Sequence, residues 1–492
     1  MTTSHSQASS GSLPTLLQNN PLLTFGRGIA SYSEVKPEHI GPAIDYLLKL
    51  AQEAVDTATN PATLASWDKL AEPLEDATEA LGRSWGVISH LNSVADAPEL
   101  RSAYGEMLPK VSAFFTSLGQ NLALYQKFKE LKNSSEYSKL DQAQQKVIEN
   151  SLRDFRLGGA ELSDADKPRF AQIQDEQAIL GKAFSDHVLD ATDGFVHVVT
   201  NQHDLAGLPE DVIAAAADTA EQKQLKGWAF TLHFPSYYPV LQYSENRALR
   251  RLMYQAYVTR SSELSPEYGQ GKLEWDNTRN MLDQLRLRDE EARMLGFANY
   301  AALSIAPKMA KSVEEVDSFL CTFANKAKPF AQKDWEELCA FAKTELGLMD
   351  GLEPWDVPFA AERLKQARYS FSENELKQYF PLPKVLDGLF GLIQTLFGVK
   401  IEAADLPTWH SDVQSFAVKD LDGKLRAYFY LDPYARPGKR GGAWMDDARG
   451  RRELPNGEIQ VPVAYLVCNF APPVKVDGVL RLPTITHDDV IT

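Results

Sequence analysis

The sequence predicts a mainly α-helical protein of two or three lobes with a small β-sheet near its C-terminal end. Three observations lead there. Apolar residues recur at spacings of three and four over most of the chain up to about residue 400, which is the period of one helix face. After about residue 412 the spacing shortens to two, the period of a strand. The 492 residues exceed one hydrophobic core at the usual ~100–200 residues per domain.

Residues 1–30 are rich in Ser, Thr, Asn and Gly and read as a polar tail or irregular arm. From Pro37 the pattern is helical, with Ile40, Ile44, Leu47, Leu48 and Ala51 on one face. Similar stretches run from Trp67 to about Val94, from Leu100 to Leu131, and from Gln142 to Phe155, the last stopped by Gly158-Gly159. Ser163-Asp164-Ala165-Asp166 has the form of a capping box and predicts the next helix start. These helices define an N-terminal helical region, 31–190.

A connecting region with short strands, 191–244, follows. Val196 and Val198 alternate, and Trp228 to Phe234 alternates up to Pro235. Long helices return at about 245–263, 267–295 and 312–346. Ser312 lies three residues before Glu315 and caps the last of these, and Gly347 stops it. Ser372 and Glu375 repeat the capping spacing. Val385, Leu386, Leu389, Phe390, Ile393, Leu396 and Phe397 form a broad stripe ending at Gly398, and these stripes are expected to be core. Then Val413–Lys419 and Leu425–Leu431 alternate about an Asp422-Gly423 hairpin turn. The Gly-rich basic loop Gly438-Lys439-Arg440-Gly441-Gly442 and a more buried strand within Gln460–Phe470 complete a small antiparallel or mixed sheet.

Charge and composition exclude several functions. The net charge of −16, from 67 acidic and 51 basic residues, repels nucleic-acid phosphate and anionic lipid, so neither is an expected partner. The first ten residues, MTTSHSQASS, hold no Lys or Arg and no apolar core, unlike a secretory signal. No uncharged apolar run approaches the ~20 residues that span a membrane. Cys321, Cys339 and Cys468 are few, odd in number and widely spaced, which fits reduced thiols in a cytoplasmic protein.

Spacing alone gives no complete active site. No two of the nine histidines stand three or four apart, so neither HExxH nor HxxEH occurs. There is no GxSxG, GxxxxGK[ST] or GxGxxG, and Gly269-Gln270-Gly271-Lys272 reads as a turn. The acidic pairs Asp446-Asp447 and Asp488-Asp489 read as solvated. Thr486-His487-Asp488-Asp489 is a further capping box that opens an apolar helix at Val490-Ile491-Thr492. A capped helix of one turn buries little, and its continuation beyond Thr492 is the expectation.

Several long motifs carry a resemblance: YFYLDPYARPGKRGGAWMDDARGRR at 428–452, PVAYLVCNF at 462–470, THDDVIT at 486–492, YFPLPKVLDGLF at 379–390 and RRLMYQAYVTRSSE at 250–263. Taken in their order along the chain, they resemble the thimet-oligopeptidase family of zinc metallopeptidases. The resemblance covers essentially everything after residue 30. It implies a two-lobed helical fold with a channel between the lobes. Residues 245–492 would then be the N-terminal portion of the catalytic domain, an incomplete lobe. It further implies a cytoplasmic, monomeric enzyme that hydrolyses short unstructured peptides with one Zn2+. In the family the metal is held by a helical HExxH and a later glutamate, and the HExxH helix follows the THDDVIT-like segment. No catalytic and no metal residue is therefore assigned here, His487 included, and the chain as it stands is expected to be inactive. The alternative is a short form that binds peptides without cleaving them.

Some substrate apparatus is still expected. Zinc peptidases of this kind pair an extended substrate with an edge strand beside the metal helix. The candidate is Gly441, Gly442, Ala443 and Trp444, because two residues without Cβ atoms let a backbone approach closely; against it, the glycines serve only a turn and Trp444 packs as core. Lys439 and Arg440 are read as exposed charges.

Overall fold

Helices fill most of the chain because the apolar period set out above is kept, and several helix starts carry a side-chain cap, among them Asn121, Asp141, Asn246, Ser312 and Thr486. The computed structural model describes residues 17–454, 456–476, 479–481 and 484–492. These fall into two compact units: the described residues of 17–167, 405–411 and 448–460, and those of 168–404, 412–447 and 461–492.

The first unit holds α1 (Pro37–Thr59), α2 (Glu72–Val94), α3 (Pro98–Gly119), α4 (Leu122–Lys132) and α5 (Gln142–Leu157). The single stretch expected over Leu100–Leu131 is two helices. Asn121 interrupts it, its side chain accepting the Leu124 N–H as a new N-cap. α1 packs against α2 and α3 and buries Ile40, Ala43, Ile44, Leu47, Ala51, Val55 and Ala58. Asp141 and Gln144 form a reciprocal capping box at the start of α5. Within the stretch read as a tail or arm, Pro21–Thr24 form a helical turn and Leu22 is buried. Trp409 packs edge-on against Tyr32 and His90, at ring separations of 5.1 and 4.2 Å.

The second unit begins with α6 (Lys167–Asp193), which starts after the Ser163–Asp166 box; that box closes a turn through Asp166 N–H to Ser163 Oγ. β1 (His197–Val199), α7 (Glu210–Gln222), β2 (Trp228–Phe230), α8 (Phe234–Tyr243) and α9 (Arg247–Val258) follow. β2 is shorter than the alternation suggested: Pro235 lies in the first turn of α8, and the chain turns helical at Phe234. β1 and β2 pair antiparallel beside an apolar cluster that includes Phe195, Phe230, Leu232, Val240 and Met253. The Gly269–Lys272 segment is a turn, in which a Cβ at Gly271 would collide with Ser265 Oγ.

Next come α10 (Thr278–Met294), α11 (Val313–Thr344), α12 (Val357–Tyr369) and α13 (Leu382–Phe397). Ser312 caps α11 by accepting the Glu315 N–H, and Gly398 ends α13 in the left-handed region at φ +62°. The apolar stripe of α13 is only partly core. Val385, Leu386 and Phe390 join a cluster with Phe416, Leu431 and Phe470, whereas Leu389, Leu392, Leu396 and Phe397 are exposed. The stripe is wider than the surface that covers it.

The sheet contains β3 (Val399–Ala404), β4 (Gln414–Asp420), β5 (Leu425–Tyr434), β6 (Trp444–Arg449) and β7 (Val463–Phe470), in the order β3-β4-β5-β7-β6. β3, β4 and β5 run antiparallel, and β5 pairs parallel to β7 with Tyr428 opposite Val463, so the sheet is mixed. β4 and β5 meet at Asp422-Gly423, where Gly423 has φ +88°. β3 went unread because it follows α13 with no turn signal except Gly398. Among the described residues no helix is long and apolar enough to cross a membrane.

Candidate functional site

The residues singled out for a substrate strand lie on the rim of the sheet. Gly441, Gly442 and Ala443 end the connection after β5, and Trp444 is the first residue of β6. β6 is an outermost strand of the five, hydrogen-bonded on one side to β7. Such a strand keeps a row of backbone donors and acceptors for another extended segment. Gly442 adopts φ +99°, a conformation that L side chains rarely take. A Cβ added at Gly441 or Gly442 would have nothing within 4 Å, so the space beside the backbone is open. Trp444 is half-buried, while Met445, Asp446 and Asp447 face solvent.

The connection is pinned from below. Lys439, read from the sequence as an exposed charge, is fully buried. Its Nζ donates to Asp432 Oδ1 at 2.7 Å, to the Asp432 carbonyl at 3.1 Å and to the Tyr434 carbonyl at 2.7 Å. Arg436 donates to both oxygens of the same carboxylate at 2.7 Å each. A buried ammonium needs such partners; the polar character of GKRGG said nothing of Asp432 at the end of a strand. Burial pulls the Lys439 ammonium down to about 8 against the pull of Asp432. Burial works to raise the Asp432 carboxyl, but the Arg436 hydrogen bond and the Lys439 charge outweigh it and hold it below the usual range. On the other side, Asn469 of β7 donates from Nδ2 to the carbonyls of Arg440 and Gly442, at 3.0 and 2.6 Å. The Gly438 N–H donates to Asp193 Oδ2 at 2.9 Å. Cys468, next to Asn469, is buried, and burial pushes its thiol up to about 11.

Near the end of the chain, α14 (His487–Ile491) starts as the capping box predicts. Thr486 Oγ1 accepts the Asp489 N–H at 3.1 Å, and Asp489 Oδ2 accepts the Thr486 N–H at 2.9 Å. His487 lies in the first turn, and its backbone N–H donates to Glu373 Oε1 at 3.0 Å. Glu373 also pairs with Lys365 at 2.7 Å. Burial works to raise the Glu373 carboxyl, but the Lys365 bond and the His487 N–H hold it low.

A zinc site needs three or four converging imidazole, thiolate or carboxylate donors. Among the described residues no such group of three or more is gathered; near His487, Asp489 is engaged in capping and Glu373 in an ion pair with Lys365. These residues do not fit a zinc ion, and no chemical step is derived through one.

Two sequence profiles match the chain: Peptidase family M3 over residues 240–492, and the Neurolysin/Thimet oligopeptidase N-terminal domain over 45–167. Oligopeptidase A of Haemophilus influenzae is 43% identical over 475 residues, covering 96% of this chain and 68% of that protein. Oligopeptidase A of Escherichia coli is 43% identical over 474 residues with the same coverage. A solved structure described as an oligoendopeptidase F, 14% identical, aligns with a TM-score of 0.50 over 94% of this chain and 62% of that one, a likeness of fold. The chain thus spans about two thirds of the length of these proteins. With one profile matching half of the chain and 43% identity along nearly all of it, the chain belongs to peptidase family M3.

Proposed function

We propose that this chain is the scaffold and peptide-docking part of a zinc-dependent oligopeptidase that hydrolyses short unstructured peptides in the cytoplasm. The outermost strand β6 carries the proposal. Gly441, Gly442, Ala443 and Trp444 form a docking edge that takes an extended peptide by strand addition. Backbone pairing accepts many sequences, which suits an enzyme that selects for short, unfolded chains. Peptide hydrolysis rests on membership of the peptidase family and on the oligopeptidase A relatives.

Zinc enters the proposal as one ion of the whole enzyme. The 492 residues contain no HExxH, and no donor group is gathered among the described residues. The proposal is therefore that this chain alone docks peptides without cutting them. The test is a quenched fluorescent nonapeptide incubated with the purified chain and added zinc, followed for cleavage and for bound metal by mass spectrometry. The expected result is peptide binding with no cleavage above the buffer rate and substoichiometric zinc after dialysis. Cleavage that tracks one tightly bound zinc per chain contradicts it.

A further inference from the structure

The connection that leads into β6 is held by contacts that the docking reading does not itself require. Five residues after β5, the buried Lys439 ties the loop to the carbonyls of Asp432 and Tyr434 and to the Asp432 carboxylate. Two residues before β6, the Gly442 carbonyl receives Asn469 Nδ2 at 2.6 Å, and the same nitrogen reaches the Arg440 carbonyl at 3.0 Å. Gly438, between the two anchors and β5, adopts φ +72° and donates its N–H to Asp193. The loop is therefore anchored at 438, 439, 440 and 442. The backbone of Gly441 and Gly442 still has open space where side chains would stand.

Glycines raise the entropy of a free chain, and a mobile loop would lose that freedom on each binding event. A single amide that occupies both carbonyls removes the cost before the peptide arrives. It also ties those two acceptors, the carbonyls of Arg440 and Gly442, to β7. Lys439 does the same from the opposite side with a donor set that only an ammonium supplies: three hydrogens, all used.

Resting on the docking function proposed above, we infer that Asn469 and Lys439 are positioning residues that preset the 438–444 backbone to receive a peptide strand. Neither needs to touch the peptide; each acts through the carbonyls it holds.

The test uses the full chain and two variants. Asn469→Asp keeps the side-chain shape but replaces the donating amide by a carboxylate, which repels the carbonyls of Arg440 and Gly442. Asn469→Gln keeps the amide on a longer arm. Affinity for a short fluorescent peptide is measured by anisotropy, and amide hydrogen exchange at 438–444 is measured without peptide, together with the melting temperature. Asn469→Asp is expected to weaken peptide binding about tenfold or more and to speed exchange at 440–443. Asn469→Gln is expected to restore part of both. The melting temperature should stay near that of the parent, since Asn469 is only half-buried. If the parent binds peptide and Asn469→Asp binds as tightly, with unchanged loop exchange, the inference is overturned while the docking reading stands. If the parent shows no peptide binding, the docking reading is overturned, and the positioning role falls with it whatever the loop exchange shows. Where a low melting temperature spoils Asn469→Asp, Asn469→Ser replaces it with the same expected direction.

Discussion

α1 and α13 are both amphipathic helices with clear apolar stripes, yet the structure treats them differently. α1 buries seven residues of its stripe between neighbouring helices. α13 is the more apolar of the two and buries only Leu382 fully, while Leu396 and Phe397 are 66% and 72% exposed. α11 repeats the contrast inside one helix: Leu338 and Ala342 are buried, but Phe319, Leu320, Phe323 and Phe330 are not. The period of a stripe says which face is apolar. Whether a neighbour covers that face is a separate fact, set by which elements the fold brings there. The second unit also places ionic anchors in its interior, notably Asp356 with Arg250 and Asp432 with Lys439, where α1 relies on aliphatic packing.

The largest effect is expected where such an anchor is broken. Asp356 is completely buried and accepts from Arg247 and Arg250 at 2.6 and 2.8 Å. Asp356→Ala strands the buried Arg250 guanidinium and should cost about 3–5 kcal/mol in a urea melt. Ile44→Ala, a deletion in the covered stripe of α1, should cost roughly 2–5 kcal/mol. A loss under ~1 kcal/mol at Ile44 would mean that this face is less tightly packed than the structure has it.

pH separates the two anchors. Burial works to raise the Asp356 carboxyl, but the bonds from Arg247 and Arg250 leave it below its ordinary 3.8. Its contribution is therefore present above that pH and lost as pH falls through the lower folded value. Lys439 works at the other end. Between about 8 and its ordinary 10.5 the unfolded chain holds a proton that the folded chain has released, so this group makes stability rise with pH across that window. Lys439→Met should flatten that rise in a series of thermal melts, and an unchanged slope would place the titration elsewhere.

Smaller effects follow at the edges. Thr486→Ala removes one side of a capping box and should cost about 0.5–1 kcal/mol, read most directly as faster amide exchange at Asp489. At the uncovered stripe, Leu392→Gln with Leu396→Gln should change stability by no more than about 0.5 kcal/mol. The same pair should reduce self-association in analytical ultracentrifugation, because large exposed apolar patches drive association. A loss of several kcal/mol there would show that α13 is covered after all.

Helix starts were the most legible features: Ser312, Ser372 and Thr486 each cap the helix that their spacing announces, because a cap is a local bond within four residues. The Asp422-Gly423 hairpin was legible for the same reason. Asn121, which divides the Leu100–Leu131 stretch, was missed because the apolar period continues across it. Lys439 was misread because its partner Asp432 belongs to a strand end, and burial of a charge depends on a tertiary meeting that loop composition does not encode. The Gly441–Trp444 edge was legible as a place where a backbone is open. The anchoring amide of Asn469, far along the chain on a buried strand, carried no signal in the sequence.

The most direct test is amide hydrogen exchange of the purified chain with and without a short unstructured peptide. If β6 takes the peptide as an added strand, amides within 442–447 should gain protection on binding while the apolar face of α13 stays unchanged. Peptide binding without any protection at 442–447, or protection confined to α13, would contradict docking at this edge.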